Sequence, residues 1–169
     1  MLSRELAWLQ RIIEQRFEMR QQDQHPALDT LASAPDTADD GGPYAALVQD
    51  MALGAHQRLA LILALAPHLS PETLDVFLLQ NQVTGRRFSE FGGLSGQAHG
   101  GFLPTVDTAL FLLAGANLAE RLRWRALFAP QSALLDLSLL APCSRARSTR
   151  PRRPRSVRRK KRGLSISRT

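Results

Sequence analysis

Apolar residues open the chain at helical spacing. Leu2, Leu6, Leu9, Ile13 and Phe17 stand four, three, four and four residues apart, the period of an amphipathic helix. Arg4, Glu5, Arg11, Glu14, Glu18 and Arg20 fall mostly on the opposite side. The pattern fades at "QQDQHP", where Pro26 biases His25 away from helix. The spacing predicts an amphipathic helix over residues 1–22. Residues 23–43, with the run "PALDTLASAPDTADDGGP", read as a linker. Small and acidic residues, Pro and Gly dominate it and give little apolar surface to offset the entropy of ordering.

From Tyr44 the chain is dense in Leu and Ala. "YAALVQDM" predicts a short helix, punctuated by Gly54. "AHQRLALILALAPHL" is apolar nearly all round after Arg58 and predicts a central buried helix limited by Pro67. "SPETLDVFLLQN" carries helix-start signals in Ser70, Pro71 and Glu72, with Leu74, Phe77 and Leu78 as its inner stripe. "PTVDTALFLLAG" starts with Thr105 as cap and ends at Gly115. "NLAERLRWRALF" places Asn117 and Glu120 at N-cap and N3, and Pro130 closes it. "QSALLDLSLL" fits either a last short helix or an edge strand. Valine and isoleucine are sparse and nothing alternates with period two, so strand content is low. Clustered glycines and aromatics permit one short hairpin around residues 86–104. The predicted fold class is mainly α: a compact helical domain over 44–140, an N-terminal amphipathic helix, and a tail over 141–169 with no apolar stripe to bury and therefore disordered.

Charge divides the chain at the same place. Met1–Cys143 holds ten Arg, no Lys and fifteen acids, a balance of −5. Ser144–Thr169 holds ten Arg, two Lys and no acid, a balance of +12. The whole-chain charge of +7 describes neither part. Cys143 is the only cysteine, so an internal disulfide is excluded. The longest apolar run, "LALILALA", falls short of the roughly 18 residues a membrane span needs. The start lacks a secretory h-region, so a cytoplasmic setting without membrane partner is expected.

The stretch "FSEFGGLSGQAHGGFLPT" holds Gly92, Gly93, Gly96, Gly100 and Gly101. A Walker A loop needs G-x-x-x-x-G-K-[ST], whose amides and lysine hold phosphate. Gly96 and Gly101 have that spacing, but Phe102-Leu103 follows where Lys-Ser/Thr is required. The pattern G-x-G-x-x-G is absent as well. The glycines are therefore expected to serve a tight structural loop under Phe88, Phe91 and Phe102. No cofactor-binding residue is assigned. His56, His68 and His99 have no H-x-x-x-H or cysteine partners, so no metal ligand is assigned. Ser95 and His99 lie close, yet Ser95 is not in a G-x-S-x-G elbow, and no catalytic residue is assigned. Trp8 and Trp124 suit helical faces, and Arg121, Arg123 and Arg125 a solvated surface.

Two segments, "GPYAALVQDMALGAHQRLALILALAPHLSPETLDVF" and "FSEFGGLSGQAHGGFLPTVDTALFLLAG", together resemble the N-terminal region of a bacterial AAA+ ATPase family. That family is encoded with extracellular contractile injection systems, which are phage-tail-like particles. The resemblance spans about Met1 to Phe128 and is carried most by Glu90–Gly93, His99–Thr105 and Ala109–Gly115. It implies a helical region, classed as a variant winged helix, placed ahead of a ring-forming ATPase module that binds ATP and magnesium. Beyond Leu140 no Walker motif follows, so the resemblance implies a non-catalytic module that contacts a protein partner.

The tail "APCSRARSTRPRRPRSVRRKKRGLSISRT" admits two readings. Arg152, Arg153, Arg155, Arg158, Arg159, Lys160, Lys161 and Arg162 would bind polyanions, nucleic acid included, by counterion release. Alternatively, Arg, Pro, Ser, Ala and Gly are what GC-rich codons yield in a wrong frame. The abrupt switch near residue 141 favours this second reading, a truncated gene product.

Overall fold

The structure, a computed structural model, describes residues 1–38, 40–95, 100–130, 132 and 134. The molecule is mainly helical, as its sequence pattern predicts. Helices α1 (Leu2–Gln21), α2 (Pro43–Asp50), α3 (Ala55–Leu69), α4 (Val106–Ala114) and α5 (Leu118–Trp124) are accompanied by short 3-10 segments after α1, after α3 and after α5. A minimal hairpin pairs β1 (Leu94–Ser95) with β2 (Phe102–Leu103), in antiparallel register Leu94 to Leu103 and Ser95 to Phe102. An isolated antiparallel bridge joins Gln80 to Arg87.

Local chemistry sets most of the boundaries. Pro43 occupies the first turn of α2, where its missing N–H costs nothing. Gln57 reaches back from the first turn of α3 to the Gly54 amide, 2.8 Å away. Pro67 lies inside the last turn of α3, which runs on to Leu69. Gly115 ends α4 with φ 58°, a region glycine enters freely. Asn117 caps α5 by accepting from the Glu120 amide at 3.2 Å.

One start signal yields a different element. Pro71–Leu78 forms 3-10 turns, not an α-helix. Ser70 Oγ bonds the Glu72 carboxylate at 2.5 Å and makes no capping bond to the backbone. Leu74 and Phe77 are nonetheless buried, and Leu78 is half-buried.

The core draws on α1, the 23–43 segment, α3, the Pro71–Leu78 turns, the glycine-rich loop and α4. Trp8, Leu9, Ile12 and Ile13 of α1 pack with Leu59, Ile62 and Leu63 of α3 and with Phe111, Leu112 and Leu113 of α4. Aromatic rings fill the centre: Phe91 lies 5.0 Å from Phe17 and 4.9 Å from Phe111, and Phe77 stacks on Phe102 at 5.0 Å. Offset and tilted ring pairs at these separations add to burial. A smaller cluster of Tyr44, Val48, Leu53 and Leu61 joins α2 to α3.

The first helix and the 23–43 segment both contribute to the main core. Leu28 and Leu31, three residues apart, both enter the main core. The segment's carbonyls are also claimed: Trp8 Nε1 donates to Ala32 at 2.6 Å, and Arg16 to Pro26 at 2.6 Å. Two leucines and these bonds hold a stretch whose composition alone predicts freedom. Glu5, expected among the solvated residues of α1, is fully buried. The predicted last element over 131–140 and the tail over 141–169 lie outside the described residues, apart from Ser132 and Leu134.

Candidate functional site

The glycine-rich loop is built around the protein's own side chains. Gly92 and Gly93 have φ of 61° and 78°, values that disfavour any residue with a Cβ. A Cβ on Gly93 would fall 2.1 Å from the Phe102 ring, and one on Gly92 2.7 Å from Thr105 Oγ1. The amides are used internally: Gly93 donates to Thr105 Oγ1 at 3.0 Å and Gly92 to the Ser89 carbonyl at 3.2 Å. Thr105 in turn donates its own amide to Thr108 Oγ1 at 3.0 Å. Donors that cradle a phosphate point at an open concavity; these two point at Ser89 and Thr105. Gly100 has neither a positive φ nor any atom within 4 Å of a built Cβ, so no steric demand for glycine arises there. Gly101 leads into β2, and Gly96 and His99 lie outside the described residues.

Beside the loop, Arg20 bonds Glu90 at 2.5 Å and lies over the Phe88 ring at 4.6 Å. This ties the end of α1 to the loop. Arg16 does the same for α4. Its guanidinium is buried and donates to the carbonyls of Leu112 and Leu113, both at 2.8 Å, besides that of Pro26. Those two carbonyls belong to the last turn of α4, where helices leave acceptors unpaired. Burial pulls the Arg16 guanidinium down to about 10, so it stays charged at neutral pH.

A second buried charge group stands at the other end of α1. Arg58 donates from Nε to Glu5 Oε1 at 3.0 Å and from Nη2 to the same oxygen, and also to the Pro35 carbonyl at 2.7 Å. Desolvation pushes the Glu5 carboxyl above its ordinary value, against the opposing pull of Arg58. Tyr44 packs nearby, its hydroxyl held protonated by burial and then by the Glu5 charge. The sequence marks Arg58 only as the polar start of an apolar helix.

His56 is stacked on Trp124 with ring centroids 3.5 Å apart and planes 18° from parallel, and Asp29 lies 3.7 Å from its Nε2. Burial lowers its pKa, Asp29 opposes that, Arg123 adds to it and Glu120 opposes it. It therefore serves as a packing side chain joining α3 to α5. Among the described residues, no three His, Cys, Asp or Glu side chains come together in a metal-binding group.

Arg121 and Arg123 of α5, with Arg125 in the 3-10 turn that follows, behave as a surface set. Arg121 donates to the Gly115 carbonyl at 2.9 Å, Arg123 lies over the Trp124 ring at 4.8 Å, and Arg125 borders a shallow hollow with Val106 and Phe128. No residue of α5 is buried, and Leu118 and Leu122, one turn apart, are 69% and 65% exposed. An open groove of about 470 Å³ lies elsewhere, between α1 and the 3-10 segment Pro71–Leu78. Ile13, Phe17 and Val76 supply its apolar lining, and Gln10, Glu14 and Glu72 its polar lining.

Among the described residues no single helix is long and apolar enough to cross a membrane. Helix α3 and the segment Pro71–Leu78 reach that length only jointly, bent by 100°, and most of the apolar residues of α3 lie in the core. The tail cations Arg152, Arg153, Arg155, Arg158, Arg159, Lys160, Lys161 and Arg162 lie outside the described residues. No protein-family model, curated protein or solved structure matches the chain.

Proposed function

We propose that the chain is a non-catalytic protein-interaction module of the kind found ahead of the ATPase module in AAA+ proteins linked to contractile injection systems. The carrying observation is helix α5, which buries none of its residues and presents Leu118 and Leu122 one turn apart. Paired leucines at i and i+4 are anchors an apolar partner surface can take up. The inward use of the Gly92 and Gly93 amides supports the same reading, since it leaves those donors engaged within the protein. The partner is a protein of the particle or its ATPase ring. A photoreactive side chain placed at Leu122 should cross-link one such purified component, while the same group at Met51, on α2's far end, should not. Equal cross-linking from both positions, or from neither, contradicts the proposal.

The tail favours a second reading. Its +12 balance over 26 residues suits polyanion binding. A nucleic-acid affinity of the full chain that falls steeply and linearly in log salt, without sequence preference, supports that reading; a salt-independent affinity contradicts it.

A further inference from the structure

We infer that the turn over residues 79–87 is a docking surface separate from α5, and that its partner is a protein surface with an apolar pocket rimmed by aspartate and glutamate. The turn lies between the 3-10 segment Pro71–Leu78 and the glycine-rich loop. Val83 is 94% exposed at its tip, and Leu79 is 52% exposed at its start. Arg86 and Arg87 are exposed beside them.

The turn is fastened by its own bonds. Gln80 and Arg87 form an antiparallel bridge. The Asn81 amide donates to the Arg86 carbonyl at 2.8 Å, and the Gly85 amide to the Asn81 carbonyl at 2.8 Å. Asn81 Oδ1 accepts from the Val83 and Thr84 amides at 2.8 and 3.1 Å. Gly85 takes the positive φ of 63° that closes the turn. Val83 is therefore held in place before a partner arrives, and docking loses less freedom than ordering a loose loop does. A lone exposed apolar side chain is ordinary on a protein surface. One fixed at the tip of a fastened turn, next to two guanidiniums, has the make-up of an anchor.

Charge names the rim. No Asp or Glu stands between Asp75 and Glu90, although the body as a whole carries −5. The ion pairs among the described residues engage Arg4, Arg20, Arg58, Arg121 and Arg123, and leave Arg86 and Arg87 without a carboxylate. Carboxylates on a partner supply charge-assisted bonds to both. Nucleic acid fits less well. Phosphates would use the guanidiniums but gain nothing from an aliphatic tip, and residues 79–87 include no aromatic ring on which a base could stack. A pocket with an acidic rim uses Val83, Arg86 and Arg87 together.

The test pans a phage-displayed library of random dodecapeptides on the full chain, after depletion on the full chain carrying Val83→Ser/Arg86→Gln/Arg87→Gln. Depletion removes peptides held by the basic tail, which both proteins share. The recovered peptides should combine an aliphatic or aromatic residue with two or more neighbouring Asp or Glu. Synthesised, they should bind the full chain at least tenfold more tightly than Val83→Ser, and at least tenfold more tightly than Arg86→Gln/Arg87→Gln. They should bind Leu118→Ser/Leu122→Ser as well as the unaltered chain, so a failure of the α5 reading leaves this result standing. No enrichment after depletion, or enriched peptides without carboxylates, overturns the inference. So does a short DNA duplex whose affinity falls tenfold in Arg86→Gln/Arg87→Gln and not in Val83→Ser, because the turn then serves phosphate.

Discussion

Arg16 Nε sits 2.8 Å from the carbonyl oxygen of Leu112, joining residues 96 positions apart in the sequence. The same guanidinium bonds Leu113 and Pro26, so one side chain holds α1, the end of α4 and the 23–43 segment together. Replacing Arg16 by Ala strands two buried acceptors and one partly buried one. Each such loss costs about 1–3 kcal/mol, so unfolding free energy should fall by about 3 kcal/mol or more in urea titrations. Arg16→Lys should recover little of this, because one ammonium cannot match the planar fork. Full recovery by lysine would contradict the bonding scheme.

The Glu5–Arg58 pair predicts an unusual pH dependence. The folded carboxyl is raised above its unfolded value, so between the two the folded state binds more protons. Stability from this group is therefore greatest at low pH and is lost as pH rises through the folded pKa. The stability difference between the wild type and Glu5→Gln should shrink as pH rises from about 4.5. A difference that grows with pH would show the pair outweighing desolvation.

His56 predicts the opposite slope. Its folded pKa is depressed, so the unfolded chain protonates first and stability is lost as pH falls from about 6.5. The stack on Trp124 should open along with it. His56→Phe keeps a ring there without titrating, so its stability should not show this loss. Identical profiles for the two proteins would remove His56 as the cause.

Gly93→Ala combines a φ of 78° with a clash against Phe102. Backbone strain costs about 1–2 kcal/mol and overpacking about 1–3 kcal/mol, so a total loss of roughly 2–5 kcal/mol is expected. Gly100→Ala, made in open space, should change stability by no more than about 0.5 kcal/mol. Similar losses at both positions would contradict the loop packing.

The boundaries of this fold are written in local signals. Gly54, Pro43, Gly115 and Asn117 mark helix ends because each acts on its own few bonds, and the sequence carries those residues in plain view. The interior charges are hidden for the opposite reason. Glu5, Arg16 and Arg58 look like solvated helix residues until their partners, 53 to 97 positions away, are known. The 23–43 segment hides likewise: two leucines suffice to bury it once Trp8 and Arg16 bind its carbonyls. Helix α5 is legible as a helix, but its lack of buried residues is a tertiary fact that no periodicity reveals.

The interaction surface makes a prediction about what does not matter for folding. Leu118→Ser with Leu122→Ser removes exposed side chains only. Stability should shift by less than about 1 kcal/mol, while binding of the purified partner component, measured by calorimetry without any cross-linker, should be lost. A cooperative loss of stability would show that these leucines pack within the protein.

The most direct test follows the Gly92 and Gly93 amides in spectra of the full chain titrated with Mg-ATP. With both donors engaged by Ser89 and Thr105, their resonances should stay in place up to millimolar nucleotide. A saturable shift of either amide at micromolar Mg-ATP would contradict the account.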